Sequence, residues 1–135
     1  VHHASGCIRT RSSDPIESRL LTIHAGLSEV FTQHQVNEVA IEAIFRHKSS
    51  ESALRLGQAR GVALLAAAQH GFTAHSYNPM TVKKSVGAHG RADKNGLARI
   101  VTMLLGQAFD GPADITDALA IAITHLNHHR MAVQR

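Results

Sequence analysis

The sequence predicts an α/β domain, and three observations carry that prediction. Short apolar runs alternate with longer stretches in which apolar residues recur every three or four positions; helix-starting residues stand in front of those stretches; and glycines follow them. The 135 residues suffice for one domain, spanning 1–135, around a single core. With 44% hydrophobic but only 4% aromatic residues, that core must be built from Ala, Leu, Ile and Val.

Residues 3–10 read as a short strand, with Cys7 as a small buried hydrophobe. Ser12-Ser13-Asp14-Pro15-Ile16-Glu17 is a helix start: Asp14 as N-cap, Pro15 at the first helical position, Glu17 reaching back. Ile16, Leu20, Ile23, Leu27, Val30 and Phe31 then form one buried stripe, to about residue 34. Residues 37–43 read as a strand buried on both faces. A second helix begins at Lys48-Ser49-Ser50-Glu51 and runs to about His70, where Gly71 stands in the place of a helix-ending glycine. Inside it lies the ridge Ala53, Gly57, Gly61. A mid-helix glycine costs about 1 kcal/mol relative to alanine. The pair therefore implies close approach of another backbone, from the sheet or from a partner chain.

Phe72–Tyr77 alternates as a strand does, and Asn78-Pro79 caps a short helix through about Val86. Residues 87–92 are a loop. Asp93 caps a further helix striped by Leu97, Ile100, Val101 and Leu104, and after a loop at 106–112 the last helix runs from about Ala113 to His128.

The formal charge is +4, with a pI of about 9.8. That excess is compatible with an anionic partner such as nucleic acid, although many basic domains bind nothing anionic. The 11 histidines add positive charge below about pH 6.5. No apolar run approaches the roughly 18 residues a transmembrane helix needs. Val1-His2-His3-Ala4-Ser5-Gly6 lacks the charged start and apolar stretch of a signal peptide, and a lone cysteine suits a reducing compartment, so a cytoplasmic location is expected. The chain begins with Val, in what reads as mid-strand, so residues in front of it are expected as well.

Asp114 and Asp117 open the last helix on one face, roughly 4.5 Å apart along its axis. Two readings stand. Acidic residues favour a first helical turn because of the helix dipole, so both could serve as caps. Yet Asp117 shares its face with apolar neighbours, where an unpaired carboxylate costs several kcal/mol, and a hard divalent cation would pair both. Glu42 stands inside the apolar run Val39-Ala40-Ile41-Glu42-Ala43-Ile44-Phe45, at the carboxyl end of a strand where ligand sites of α/β sheets gather. His125, His128 and His129 have metal-ligand spacing, but His125 lies about 16 Å along the helix from Asp114 and reads as a solvated, fraying end. His2-His3 reads as an edge-strand feature. Lys83, Lys84, Arg91 and Lys94 cluster around Gly90, either as an ordinary solvated face or as a phosphate grip.

These residues fall into a familiar order. Ser5-Gly6-Cys7-Ile8-Arg9-Thr10, Ala40-Ile41-Glu42 with Phe45, Ser52-Ala53-Leu54-Arg55-Leu56-Gly57-Gln58-Ala59-Arg60-Gly61, Val82-Lys83, Gly90-Arg91-Ala92-Asp93-Lys94 and Asp114-Ile115-Thr116-Asp117-Ala118-Leu119-Ala120-Ile121-Ala122 stand at family spacing over nearly the whole chain. The chain resembles the RuvC family of Holliday-junction resolvases, crossover-junction endodeoxyribonucleases of ribonuclease-H-like fold with a mixed central sheet flanked by helices. The resemblance implies Glu42, Asp114 and Asp117 as catalytic carboxylates and metal ligands. It implies Lys83 and Lys94 as DNA contacts and Phe45 as an aromatic that stacks on junction bases; Arg91, from the basic cluster around Gly90, is expected to contact DNA beside them. It further implies two Mg²⁺ ions per site, replaceable by Mn²⁺; a homodimer on four-way junction DNA; symmetric nicking of two strands of like polarity; and RuvA and RuvB as branch-migration partners.

The family's Gly-Ile-Asp-Pro-Gly strand, which carries its first catalytic aspartate, has no counterpart here, because Asp14-Pro15 follows the Ser5-Gly6-Cys7 segment and opens a helix. Ala88-His89-Gly90 also departs from the family, where glycine is commoner at the first position. By this reading the first two strands and one catalytic Asp are absent, and residues 1–135 are expected to be inactive alone. The alternative is a catalytically incomplete fragment that serves only as a junction-binding or dimerisation module. A sheet without its central strand leaves buried backbone groups unpaired at roughly 1–3 kcal/mol each. Residues 1–135 by themselves should therefore be marginally stable or aggregate, and a sharp cooperative melt of a soluble monomer in calorimetry would contradict this.

Overall fold

The computed structural model describes residues 1–43, 49–87 and 94–134. Along the chain run α1 (Ile16–Gln33), β1 (Glu38–Glu42), α2 (Ser50–Gln69), β2 (Thr73–Tyr77), α3 (Pro79–Ser85), α4 (Lys94–Leu105) and α5 (Ala113–Val133). β1 and β2 pair as the one sheet among the described residues. They are parallel, and α2 is the long crossover that parallel neighbours require. Residues 1–7, 40–43, 76–87 and 94–134 form one compact unit; residues 8–39 and 49–75 form a second.

In the second unit α1 packs on α2. Ala66 and Ala67 are fully buried, and Phe31 meets both His70 and Phe72 edge-on at ring separations of 5.3 Å. Ser49 caps α2, its side chain accepting from the Ser52 N–H. Gly71 follows at φ 75°, the left-handed conformation that ends a helix and that a side chain would strain. Gly26 has a role the periodicity did not reveal. A Cβ there would sit 2.7 Å from Ile8 Cδ1, so the bare backbone of α1 is what lets Ile8 lie against it.

In the first unit α3 and α4 both pack on α5. Their buried core is Val82, Val86, Leu97, Val101 and Ala120. Asn78 caps α3 by accepting from the Thr81 N–H at 2.9 Å. At the other end of α3, Asn127 Nδ2 donates to the Ser85 carbonyl at 3.3 Å and lies 3.2 Å from its hydroxyl.

Several expectations are corrected. Residues 3–10 form no strand: a strand needs a neighbour to take its backbone hydrogen bonds, and neither β1 nor β2 pairs with this segment. Cys7 is exposed, since no sheet covers it. Pro15, not Asp14, occupies the α1 N-cap, because the Asp14 N–H is held in a turn by the Arg11 carbonyl at 3.1 Å. The stripe of α1 is half-buried at best, and residues 39–41 of β1 are half-buried too, as a two-stranded sheet offers little cover. Leu105 replaces Leu104 on the inner line of α4, in step with Leu97 and Val101. A Cβ on Gly61 would meet nothing within 4 Å, so no backbone approaches the ridge closely at that position among the described residues. His2 is no edge-strand residue: its ring packs edge-on against Phe109 at 5.0 Å and its Nδ1 is 2.8 Å from Gln107 Nε2. α5 extends beyond His128 to Val133. Asp93 and its expected cap lie outside the described residues.

Removing the α3 cap should be felt directly. Asn78→Ala is expected to destabilise the protein by about 1 kcal/mol in denaturant melts, with Asn78→Asp nearly neutral.

Candidate active site

The site is assembled by three chain segments of the first unit. β1 delivers Glu42 at its end, and the pairing continues one residue further, where the Ala43 N–H donates to the Tyr77 carbonyl at 2.9 Å. In α3, Pro79 at the first turn presets the helical backbone and Asn78 supplies the missing acceptor, so this short helix starts at a defined residue. Val82 then turns into the core and is 5% exposed, while Lys83 stays half-buried one turn from Pro79. Lys84, its neighbour, faces solvent.

The start of α5 is set by the loop before it. Gly106 at φ 71° and Gly111 at φ 115° make bends that residues with a Cβ rarely adopt. Pro112 takes the N-cap with extended backbone, and its carbonyl accepts from the Ile115 N–H at 3.1 Å. Asp114 sits exposed in the first turn, while Thr116 and Ala120 are buried and Asp117 is half-buried between them.

Glu42, Lys83 and Asp117 line one cavity of about 270 Å³. Among the described residues the rest of its wall is apolar, formed by Pro79, Val82, Leu97 and Ile121. Asp117 and Ile121 are one turn apart on the same ridge of α5, which explains how a carboxylate and an apolar side chain face the same space. Asp114 is not among the lining residues. Phe45 and Arg91 lie outside the described residues, and of Lys94 only its place as the first residue of α4 is described.

The charges on this wall determine its chemistry. Glu42 is exposed and Asp117 half-buried, and two carboxylates facing one cavity repel each other unless a cation lies between them. A cation between them offsets that repulsion, and Lys83 places a fixed positive charge on the same wall. Among the described residues the lining contains carboxylate oxygens and no His or Cys. Those oxygen donors fit a hard cation such as Mg²⁺ or Mn²⁺. The cavity can therefore hold a divalent cation beside an anionic group.

Behind the cavity lies an arrangement that the sequence reading missed. His125, expected at a solvated helix end, is 8% exposed, and its Nδ1 shares a hydrogen bond of 2.7 Å with the Tyr77 hydroxyl. α5 continues past it for two more turns, so position 125 is helix interior. The signal was present: Asp117, Ile121 and His125 follow one another at four-residue steps and share a ridge. His128 and His129 are exposed, and the His128 ring meets Tyr77 edge-on at 5.3 Å.

Comparisons with known proteins give one answer. A family model described as "Crossover junction endodeoxyribonuclease RuvC" matches residues 1–125. The protein of that name from Rhodopseudomonas palustris (strain TIE-1) is 46% identical over 135 residues, covering 100% of this chain and 77% of the relative. Its counterpart from Bradyrhizobium diazoefficiens is 43% identical over the same 135 residues, again 77% of the relative. Among solved structures, "T. thermophilus RuvC in complex with Holliday junction substrate" superposes with a TM-score of 0.82 at 34% identity, covering 92% of this chain and 76% of that one. "Thermus thermophilus RuvC structure" gives 0.82 at 36% identity, covering 93% and 76%.

The cavity makes unequal demands on its carboxylates. In calorimetric titration of the full-length protein with Mn²⁺, Glu42→Gln and Asp117→Asn should each weaken binding by about tenfold or more, and Asp114→Asn by less. Equal losses from all three would show that Asp114 turns into the cavity when a cation enters.

Proposed function

The chain belongs to the RuvC family of crossover junction endodeoxyribonucleases, and we propose from that premise that it resolves Holliday junctions by metal-dependent phosphodiester hydrolysis. The observation that carries the reading is the cavity shared by Glu42, Lys83 and Asp117. Two acids and a base against one apolar-walled space suit a reaction at a phosphate diester. A surface for binding alone would not need carboxylates turned toward an anionic backbone, which disfavours the reading as a binding or dimerisation module.

In this reading Glu42, Asp114 and Asp117 are the catalytic carboxylates and hold two divalent ions, Mg²⁺ with Mn²⁺ as substitute. When bound, such ions lower the pKa of an attacking water and offset charge on the scissile phosphate. Glu42 and Asp117 hold their carboxylate oxygens on one wall, and Lys83 Nζ donates to a non-bridging phosphate oxygen from the same wall. Pro79, Val82, Leu97 and Ile121 keep bulk water away from the reacting phosphate, which strengthens each of these interactions. The water oxygen bonds to phosphorus as the P–O3′ bond breaks, leaving a 5′-phosphate and a 3′-hydroxyl. The family's first catalytic aspartate has no counterpart in residues 1–135, so in this reading that segment by itself does not cut junctions.

Arg91 and Lys94 grip phosphates flanking the cut, and Phe45 stacks on junction bases. The protein works as a cytoplasmic homodimer beside RuvA and RuvB, one single-domain protomer per nick. A twofold dimer presents two identical sites, matching symmetric nicking of two strands of like polarity. Support for the dimer comes from α2, where Leu54, Gly61 and Leu65 share one face. Leu54 and Leu65 are exposed, and the space above Gly61 is open.

In the full-length protein, Asp117→Asn should abolish junction cleavage in Mg²⁺ while junction binding in gel shifts survives. Lys83→Ala should slow cleavage by about 10²–10³-fold with little loss of binding. Undiminished cleavage by the Asp117 variant would overturn the role given to that carboxylate.

A further inference from the structure

The geometry points to Tyr77 as a positioning residue that fixes the separation of the two carboxylates across the cavity, acting on one through its main chain and on the other through His125. The inference rests on the reading of Glu42 and Asp117 as the carboxylates of the reaction. Tyr77 does not line the cavity and has no catalytic role of its own.

Three observations within the first unit converge on this residue. The Tyr77 carbonyl accepts from the Ala43 N–H at 2.9 Å, holding the residue next to Glu42. The Tyr77 hydroxyl meets His125 Nδ1 at 2.7 Å, and the two rings pack at 61° with centroids 5.8 Å apart. His125 lies on the ridge of α5 that carries Ile121 and Asp117. A single residue thus connects the end of β1 to the helix opposite. The histidine is buried, so its bond to the tyrosine is made away from bulk water, where loss of one partner is costly. Both side chains make further interactions, so removing the hydroxyl cuts one tie and leaves the rest of the packing in place.

The position of α5 matters because cation ligands tolerate little displacement, of the order of 0.2 Å. A small shift of Asp117 relative to Glu42 would leave the donors in place but spoil their common geometry. The expected signature is a changed cation requirement, with substrate binding untouched.

The test uses Tyr77→Phe in the full-length protein, with Asp117→Asn alongside. The phenylalanine variant keeps the ring and the Ala43–carbonyl bond and loses only the hydroxyl. Expected are a several-fold rise in the Mg²⁺ concentration giving half-maximal cleavage, a fall in kcat of about tenfold, and unchanged junction affinity in EDTA. His125→Gln, whose amide can still meet the tyrosine hydroxyl, should keep a Mg²⁺ requirement closer to wild type than His125→Leu does. A lowered melting temperature with unaltered Mg²⁺ dependence and kcat would reduce Tyr77 to a packing role and overturn the inference. If Asp117→Asn is dead while Tyr77→Phe matches wild type, the inference fails and the function stands. If Asp117→Asn cuts normally, the reading of the site fails first and takes the inference with it.

Discussion

A methyl group at position 120 sets how closely α3 and α4 can approach α5. Ala120 is fully buried and shares one hydrophobic cluster with Val82, Val86, Leu97 and Val101. Two of these residues, Val82 and Leu97, also form wall of the cavity beside Glu42, Lys83 and Asp117. Core and cavity are therefore two sides of one packing arrangement. A larger residue at 120 would push α3 outward and carry Lys83 with it, because packed interiors have no slack to absorb an added methylene. The chemistry at the cavity depends on a contact that touches none of the reacting groups.

Much of the fold was legible because its punctuation is local. Ser49 and Asn78 cap the helices they precede, and Gly71 ends α2, each for reasons contained within three or four residues. Glu42 and Asp117 stood out because carboxylates among apolar neighbours need a partner, and both do face one cavity. The grouping of Asp114 with Asp117 was only half legible. Three residues along a helix bring two side chains to neighbouring but not identical directions, and the edge of the cavity falls between them. The family was legible because several short motifs fall in register across most of the chain, which no single motif could have established.

What the sequence did not reveal depends on distant partners. Asp14 has every local feature of an N-cap, yet a turn closed by Arg11 displaces it and Pro15 takes the position. Gly26 reads as an ordinary helical glycine until Ile8, far away in the chain, lies against it. His125 looked like a frayed end because its environment is made by Tyr77, 48 residues earlier. Residues 3–10 have the composition of a strand, but composition does not provide a neighbour to pair with. In each case local propensity was read correctly and a tertiary contact decided the outcome.

The brevity of α3 has a thermal consequence. Its seven residues fall well short of the 12–15 or so that an isolated helix needs, so it exists only while its cap, the Asn127 tie and the core hold it. Opening such a segment requires less free energy than unfolding the domain, and it releases Lys83 from the cavity when it opens. A reaction that needs Lys83 on the cavity wall would then be lost on warming before the whole protein melts.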